Sequence, residues 1–342
     1  MAITRSFGST GQFSVVDYTE ELNIIPNSWG TIGSLGLFQE QSVAEHVVQF
    51  DKVDQSVGLV VDRIRGERNN VSKDYAREVH SFNIPHFPLT DYISPSDVQG
   101  RRAYGSADAA ETLDAVRMRK MERIAKSLNW TLEAARAQAL TLGTVYAPTG
   151  TVSQNWFTEF GITQTEVDFA FSTSTTDVIG KIETVIAAIQ DNGGAISMSG
   201  VVVLCSPTWF AALVGHATTR TAFQYFASQQ DPLRARLSAD GSAVPYHREF
   251  FYGGARFIEM RDTYNGSQLI PTNTAVAVPT GTDFFKTYFG PANRFFTANT
   301  LGERQYFFEN PSQDGTEHRI DAETNFVNAL MRPEVVIKLT KS

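Results

Sequence analysis

Three observations predict an α+β chain. Residues 106–142 carry apolar side chains at helical spacing, short β-branched and aromatic runs flank that helix on both sides, and strand-like and helix-like stretches alternate beyond residue 173.

The chain has 342 residues, enough for two domains or one large irregular one. Residues 1–40 mix Ser, Thr, Gly and Gln with isolated apolar residues such as Phe13, Val15, Ile24, Trp29 and Phe38, and Pro26, Gly30, Gly33 and Gly36 interrupt any period. Such a stretch has no core of its own. It reads as an arm that needs a partner surface, on its own body or on a neighbouring copy.

Residues 41–100 form a long β-rich excursion. Ser42 to Phe50 reads as extended, Val57 to Ile64 is rich in β-branched residues, and Pro85 and Pro88 fix an extended path. Within 51–80, Lys52, Arg63, Arg65, Arg68, Lys73 and Arg77 are matched by Asp51, Asp54, Asp62, Glu67, Asp74 and Glu78. Balanced charge suits contact with another protein, whereas a grip on nucleic acid needs excess positive charge.

The helix over 106–142 is capped by Ser106, carries Asp108 and Glu111 near its positive end, and stops at Gly143. Leu113, Val116, Met121, Ile124, Leu128, Leu132, Ala135, Ala139 and Leu142 fall on one face. It spans roughly 50 Å. Asn129-Trp130-Thr131 is a place where it can bend, with Thr131 as a local cap.

Short β-like pieces follow at Thr144–Tyr146, Thr151-Val152, Trp156-Phe157 and Val167–Phe171. The pattern then turns mixed: a helix from Val178 to Ile189, a buried strand Val201–Cys205, a helix opened by Ser206-Pro207, and a helical piece over 219–228. Strands are expected at Glu249–Tyr252 and Ala255–Met260 around Gly253-Gly254, at Ala275–Val278, Lys286–Gly290 and Arg304–Phe308, and in the apolar segment after Pro333.

Net charge is −8, which does not favour a general basic surface for nucleic acid. The single cysteine, Cys205, excludes an internal disulfide framework and reads as a buried thiol. No stretch is long and unbroken enough to span a bilayer, and Met1 to Gly11 lacks the regions of a secretion signal, so a soluble chain made in the cytoplasm is expected. His80 and His86 lack a third ligand at metal spacing, and Gly100 to Ser106 lacks the lysine of a phosphate loop. Ser197 lacks the glycines of a nucleophile elbow, and Cys205 and His216 lie at opposite ends of a helix. No catalytic residue, cofactor or metal is therefore expected, and a non-enzymatic role is favoured.

The order of arm, excursion, long helix, short strands, α/β insertion and closing strand resembles the Hong Kong 97 type of phage capsid fold. More narrowly, the chain is similar to the phage lambda major capsid protein E family. The similarity is carried by Glu133–Leu140 with Gly143-Thr144-Val145 and Glu159-Phe160-Gly161, by Gly200–Phe210, and by Asn328–Glu334 with its Arg332-Pro333-Glu334. The resemblance implies an N-terminal arm over 1–40 and an E-loop region over 41–100. It implies a peripheral domain over 101–172 and 301–342, with spine helix 106–142, and an axial domain over 173–300. It further implies a virion protein that self-assembles into the hexamers and pentamers of an icosahedral head shell around phage DNA, which is confined without specific binding. A separate scaffolding protein and a portal at one vertex are expected partners, with room for a decoration protein. Arg63, Arg65 and Arg68 are the E-loop residues expected to pair with acids on a neighbouring subunit. The rival readings are another phage structural protein, of a tube or connector, and a hydrolase with an unrecognised site in 173–300.

Overall fold

The computed structural model describes residues 3–7, 13–19, 30–53, 77–99, 112–150, 152–194, 197–224, 233–235, 248–264 and 266–342. The first half contains β1 (Ile3–Phe7), β2 (Phe13–Asp17), α1 (Thr31–Ser34), β3 (Gln39–Ser42), β4 (Val47–Val53), β5 (Arg77–Asn83), β6 (His86–Ile93), α2 (Leu113–Leu142), α3 (Trp156–Glu159) and β7 (Glu166–Asp168). Next come α4 (Val178–Gly193), β8 (Gly200–Cys205), α5 (Pro207–Gly215), α6 (Ala217–Gln224), β9 (Leu233–Ala235), β10 (Arg248–Tyr252) and β11 (Ala255–Glu259). The chain closes with β12 (Thr263–Tyr264), β13 (Ser267–Gln268), β14 (Thr274–Thr280), β15 (Phe285–Phe289), β16 (Tyr306–Pro311), β17 (His318–Leu330) and β18 (Ile337–Thr340).

Two seven-stranded sheets organise these elements. The first runs β1-β2-β16-β17-β15-β3, with β6 also on β17, and the second runs β7-β18-β14-β8-β11-β10-β9. In the second sheet, β8 lies between parallel β11 and antiparallel β14 and is buried from Val201 to Cys205. A strand covered on both faces needs the unbroken apolar run this sequence has. Helix α4 covers it with Val178, Ile182, Val185 and Ile189, spaced three or four apart. Asp177 caps its start by accepting from the Gly180 N–H at 3.1 Å. Gly253 and Gly254, both at positive φ, make the tight β10–β11 turn. At the far end of α4, Arg332 donates to the Gly193 carbonyl at 2.8 Å and lies over the Phe284 ring. The Arg332-Pro333-Glu334 motif is thus a clasp between a helix end and the closing strand.

Helix α2 runs unbroken, and the Thr131 hydroxyl donates back to the Ser127 carbonyl, so it caps no break. Thr112 is the N-cap, Gly143 at φ 65° is the stop, and residues 106–111 lie outside the described residues. The N-terminal half packs Val116, Met121, Ile124 and Leu128 onto Ile93, Phe307, Ile320 and Ala322 of the first sheet. Leu142, expected on this face, is instead exposed, because the helix ends beside it.

Buried charge appears in the other half. Glu133, 2 % exposed, accepts from the backbone N–H groups of Ile32 and Gly33 at 2.6 and 3.0 Å. A side chain at Gly30 would strike that carboxylate. One turn on, Arg136 donates to Glu40 at 2.8 Å and to the Thr287 hydroxyl at 3.2 Å, and Thr287 donates to Asn328 at 2.8 Å. Arg304 meets Glu40 and Asn129 as well. This seam fastens the segment from α1 to β3 between the helix and β15.

Two further expectations need correction. Trp156-Phe157 is not a strand: Asn155 accepts from the N–H groups of Phe157 and Thr158 and starts a helical turn there. The strand expected over Val167–Phe171 ends at Asp168, because Ala170 takes φ 43° and turns the chain. Phe169 and Phe171 then do not alternate but both pack on Trp209. The helical piece near 219 is α6, and residues 225–228 lie outside the described residues.

Arg136→Ala removes the donor to Glu40 and Thr287 from a buried seam, and the expected loss is about 2–3 kcal/mol. Denaturant unfolding of the dissociated chain measures it, with no change expected in the unfolded-state compactness reported by the m-value. A second expectation concerns acid. Burial pushes the Asp91 carboxyl up, but the hydrogen bond from Lys120, the Tyr92 N–H and the charges of Lys120 and Arg123 outweigh it, and the net value is lowered. Asp91 therefore contributes stability above the usual carboxylate range that is lost as the pH falls through its lowered folded value. Melting scans of Asp91→Asn should show a shallower acid-side decline than the parent chain. An identical decline would remove this contact from the account.

Candidate functional site

Three features gather the chemistry that the described residues hold: a polar cleft beside β17, the loop between β15 and β16, and the root of the β4–β5 hairpin. The cleft, about 450 Å³, is lined by His86, Thr90, Arg294, Arg319, Asp321 and Glu323 among others. Strand β17 places Asp321 and Glu323 two apart on one face. Asp321 accepts from Arg294 at 2.7 Å, Arg319 at 2.8 Å and the Asn310 amide at 2.9 Å. Glu323 accepts from the Asn293 N–H at 3.0 Å and stands 3.4 Å from His86, which also meets Asn325 at 2.7 Å. Burial pushes the Glu323 carboxyl up; His86, the Asn293 N–H and Arg294 oppose this, Asp321 adds to it, and the net value is raised. These groups are spent on one another. What they hold is the loop 290–305, tied to β17 through Asn293 and Arg294.

That loop is fastened elsewhere too. The Asn325 amide donates to the Pro291 carbonyl at 2.8 Å, the Thr297 hydroxyl to the Ala292 carbonyl at 2.8 Å, and the Gly302 N–H to the Val43 carbonyl at 2.9 Å. A Cβ on Gly302 would collide with the backbone of Phe289 and Gly290. Phe296 turns inward, edge-on to Phe308, while its neighbour Phe295 points out.

At the third feature, β4 and β5 pair from Val47↔Asn83 to Val53↔Arg77. Phe50 and Phe82 lock this ladder onto Trp156, and the Phe82 and Trp156 rings stack at 3.8 Å between centroids. Phe50 also meets Tyr288 of β15 edge-on. His80 packs against Phe160 and lies 4.0 Å from Glu159. Arg63, Arg65 and Arg68 belong to residues 54–76, between these paired strands, and lie outside the described residues.

The candidates for catalysis are not brought together. Cys205 is fully buried, and burial pushes its thiol well up, away from a reactive thiolate. His216 is occupied by the Thr218 hydroxyl and the Thr173 carbonyl. His247 and the Gly100–Gly105 segment lie outside the described residues. Among the described residues no group of three or more His, Cys, Asp or Glu is placed to hold a metal ion, and no helix is long and apolar enough to cross a membrane. Sequence reasoning missed the cleft and the outward Phe295. Arg294 and Asp321 are remote in sequence, and nothing in Phe295-Phe296 marks which ring is buried.

Comparison with known proteins agrees with this picture of a chain built around surfaces. A curated major capsid protein of Pseudomonas phage KPP10 is 41% identical over 341 residues, covering 95% of this chain and 96% of that one. The major capsid protein of Salmonella phage Felix O1 is 25% identical and covers 95% of each chain. The capsid structure of cyanophage P-SCSP1u superposes with a TM-score of 0.51 at 11% identity, covering 93% of this chain and 90% of that one, so the Hong Kong 97 type of fold is shared. The family described as Phage major capsid protein E matches residues 14–341, and with that span and the KPP10 identity the chain belongs to this family.

Proposed function

We propose that this chain is the repeating unit of an icosahedral head shell enclosing phage DNA, arranged as hexamers and pentamers. The observation that carries the reading is the 41% identity to a major capsid protein along 95% of the chain. One chain filling many equivalent places makes heterologous contacts around rotation axes, and these close into a shell. Each contact can be weak because many act together. The role is structural, not catalytic, in keeping with a cleft whose charged groups pair with each other.

Parts of the chain take separate roles in this reading. Residues 1–40 are the arm and residues 41–100 the E-loop region. Residues 101–172 and 301–342 form the peripheral domain, and residues 173–300 the axial domain. The aromatic root at Phe50, Phe82 and Trp156 supports the E-loop assignment, since an extension that bears load on a neighbour needs a fixed base. A net charge of −8 favours DNA that is confined and not gripped. A separate scaffolding protein and a portal at one vertex complete the assembly, with room for a decoration protein.

Electron microscopy of the purified chain tests the reading: shells or hexameric capsomers are expected, and a strictly monomeric species at high concentration overturns it. Neutralising Arg63, Arg65 and Arg68 together to Gln tests the E-loop contact. Particle yield and particle stability should fall while the melting of the dissociated chain is unchanged. Unaltered yield and stability would remove these three from the interface.

A further inference from the structure

Two carboxylates share the cleft beside β17, and their partners are divided unequally. Asp321 accepts from the guanidiniums of Arg294 and Arg319 at 2.7 and 2.8 Å, from the Asn310 amide at 2.9 Å and from the Thr90 hydroxyl at 3.3 Å. Glu323 lies two residues further along the same face and is 8% exposed. Among the described residues it accepts one hydrogen bond, from the Asn293 N–H at 3.0 Å. Arg294 is committed to the Asp321 side by a second contact, its guanidinium lying 5.1 Å over the Phe308 ring.

His86 stands beside Glu323 but donates elsewhere. The Asn325 amide nitrogen donates to the Pro291 carbonyl at 2.8 Å, and a carbonyl only accepts, so the amide oxygen is the end that faces His86. The His86 Nδ1 atom, 2.7 Å from that oxygen, therefore carries a hydrogen whatever the charge of the ring. Its N–H is aimed at Asn325 and passes Glu323 at 3.4 Å. Tyr306 of β16 is in register with Glu323, and its hydroxyl accepts from the Glu303 N–H. On the other side the residue in register is Pro88, which brings no charge.

A buried carboxylate with one neutral donor and a second carboxylate beside it is the place where a pair of acids holds a proton. The raised value of the Glu323 carboxyl has this origin: burial leads, His86, the Asn293 N–H and Arg294 oppose it, and Asp321 adds to it. Loop 290–305 helps to close the site, because Asn293 and Arg294 form part of the cleft wall. Lifting the loop takes away the Asn293 N–H and opens Glu323 to water. A carboxyl raised in the docked state binds a proton more readily docked than released. The stabilisation is therefore complete below the ordinary carboxylate range and is lost as the pH rises through the raised value.

We propose that Glu323 makes the docking of loop 290–305 on β17 proton-linked, the loop being held more tightly when Glu323 carries a proton. The device belongs to the single chain and does not depend on the shell reading above. Hydrogen exchange of the dissociated chain, read by mass spectrometry on peptides from 290–305 between pH 4.5 and pH 8, tests it. With the intrinsic pH dependence of exchange divided out, protection of the loop should rise as the pH falls. Glu323→Gln keeps an acceptor for the Asn293 N–H and cannot titrate, so its loop protection should lose that pH dependence. His86→Gln keeps a donor for Asn325 and should retain it. Loop protection that does not change with pH in the parent chain overturns the proposal. So does a Glu323→Gln chain whose loop follows the pH as the parent does, or a His86→Gln chain in which the dependence disappears. Should Glu323→Gln not fold, the carboxyl carbon resonance of Glu323 in the parent chain decides: titration above the ordinary carboxylate range is expected, and titration within or below it overturns the proposal.

Discussion

Helix α2 carries Glu133 and Arg136 at positions that tertiary packing leaves almost without solvent, and much of the surrounding architecture answers that constraint. A buried charge is tolerated only when partners meet it. The partners of Glu133 are the N–H groups that start α1, and those of Arg136 are Glu40 and Thr287. Burial pushes the Glu133 carboxyl up; the N–H groups of Ile32 and Gly33 and the charge of Arg136 pull it back, Asp262 pushes further, and the net value is raised. The segment from 30 to 42 is therefore held against the helix by polar contacts as well as by Ile32, Leu37 and Phe38. Strand β3 is then delivered beside β15, and β15 beside β17.

Strand β17 is the second organising element, and it links the seam to the outer surfaces. Its first part lies between β16 and β6, and its last part pairs with β15. Asp321 and Glu323 on it restrain the 290–305 loop, Asn325 adds a third tie, and Asn328 meets Thr287 in the seam. One strand thus couples the helix packing to the loop that presents Phe295. A loop tied at three places to one strand keeps its position relative to that strand.

The hairpin root follows a different rule. Phe50, Phe82, Trp156 and Tyr288 form a mutual aromatic contact set between the β4–β5 ladder and β15. Aromatic rings supply large buried area with few rotatable bonds, so they fix direction as well as position. Polar ties hold the loop at one place and stacked rings hold the hairpin at another. Both leave from the first sheet or from elements packed on it.

The sequence by itself determined the elements whose burial is simple. Val201–Cys205, with both faces covered, had to be an apolar run; α4, with one face covered, had to repeat every three or four residues; Gly253-Gly254 had to be a tight turn. The order of these elements also carried the resemblance that the family match bears out. Only the tertiary structure decided the remainder. Strand β17 is hidden from pattern reading because Glu323, Thr324, Asn325 and Asn328 are polar yet buried, satisfied by groups remote in sequence. Trp156-Phe157 became a helical turn because Asn155 capped it, and of two adjacent phenylalanines Phe296 went in and Phe295 out because Phe308 lay on one side only. Local periodicity records which face of an element is covered. It does not record what covers it, since that is set by residues brought in from other parts of the chain.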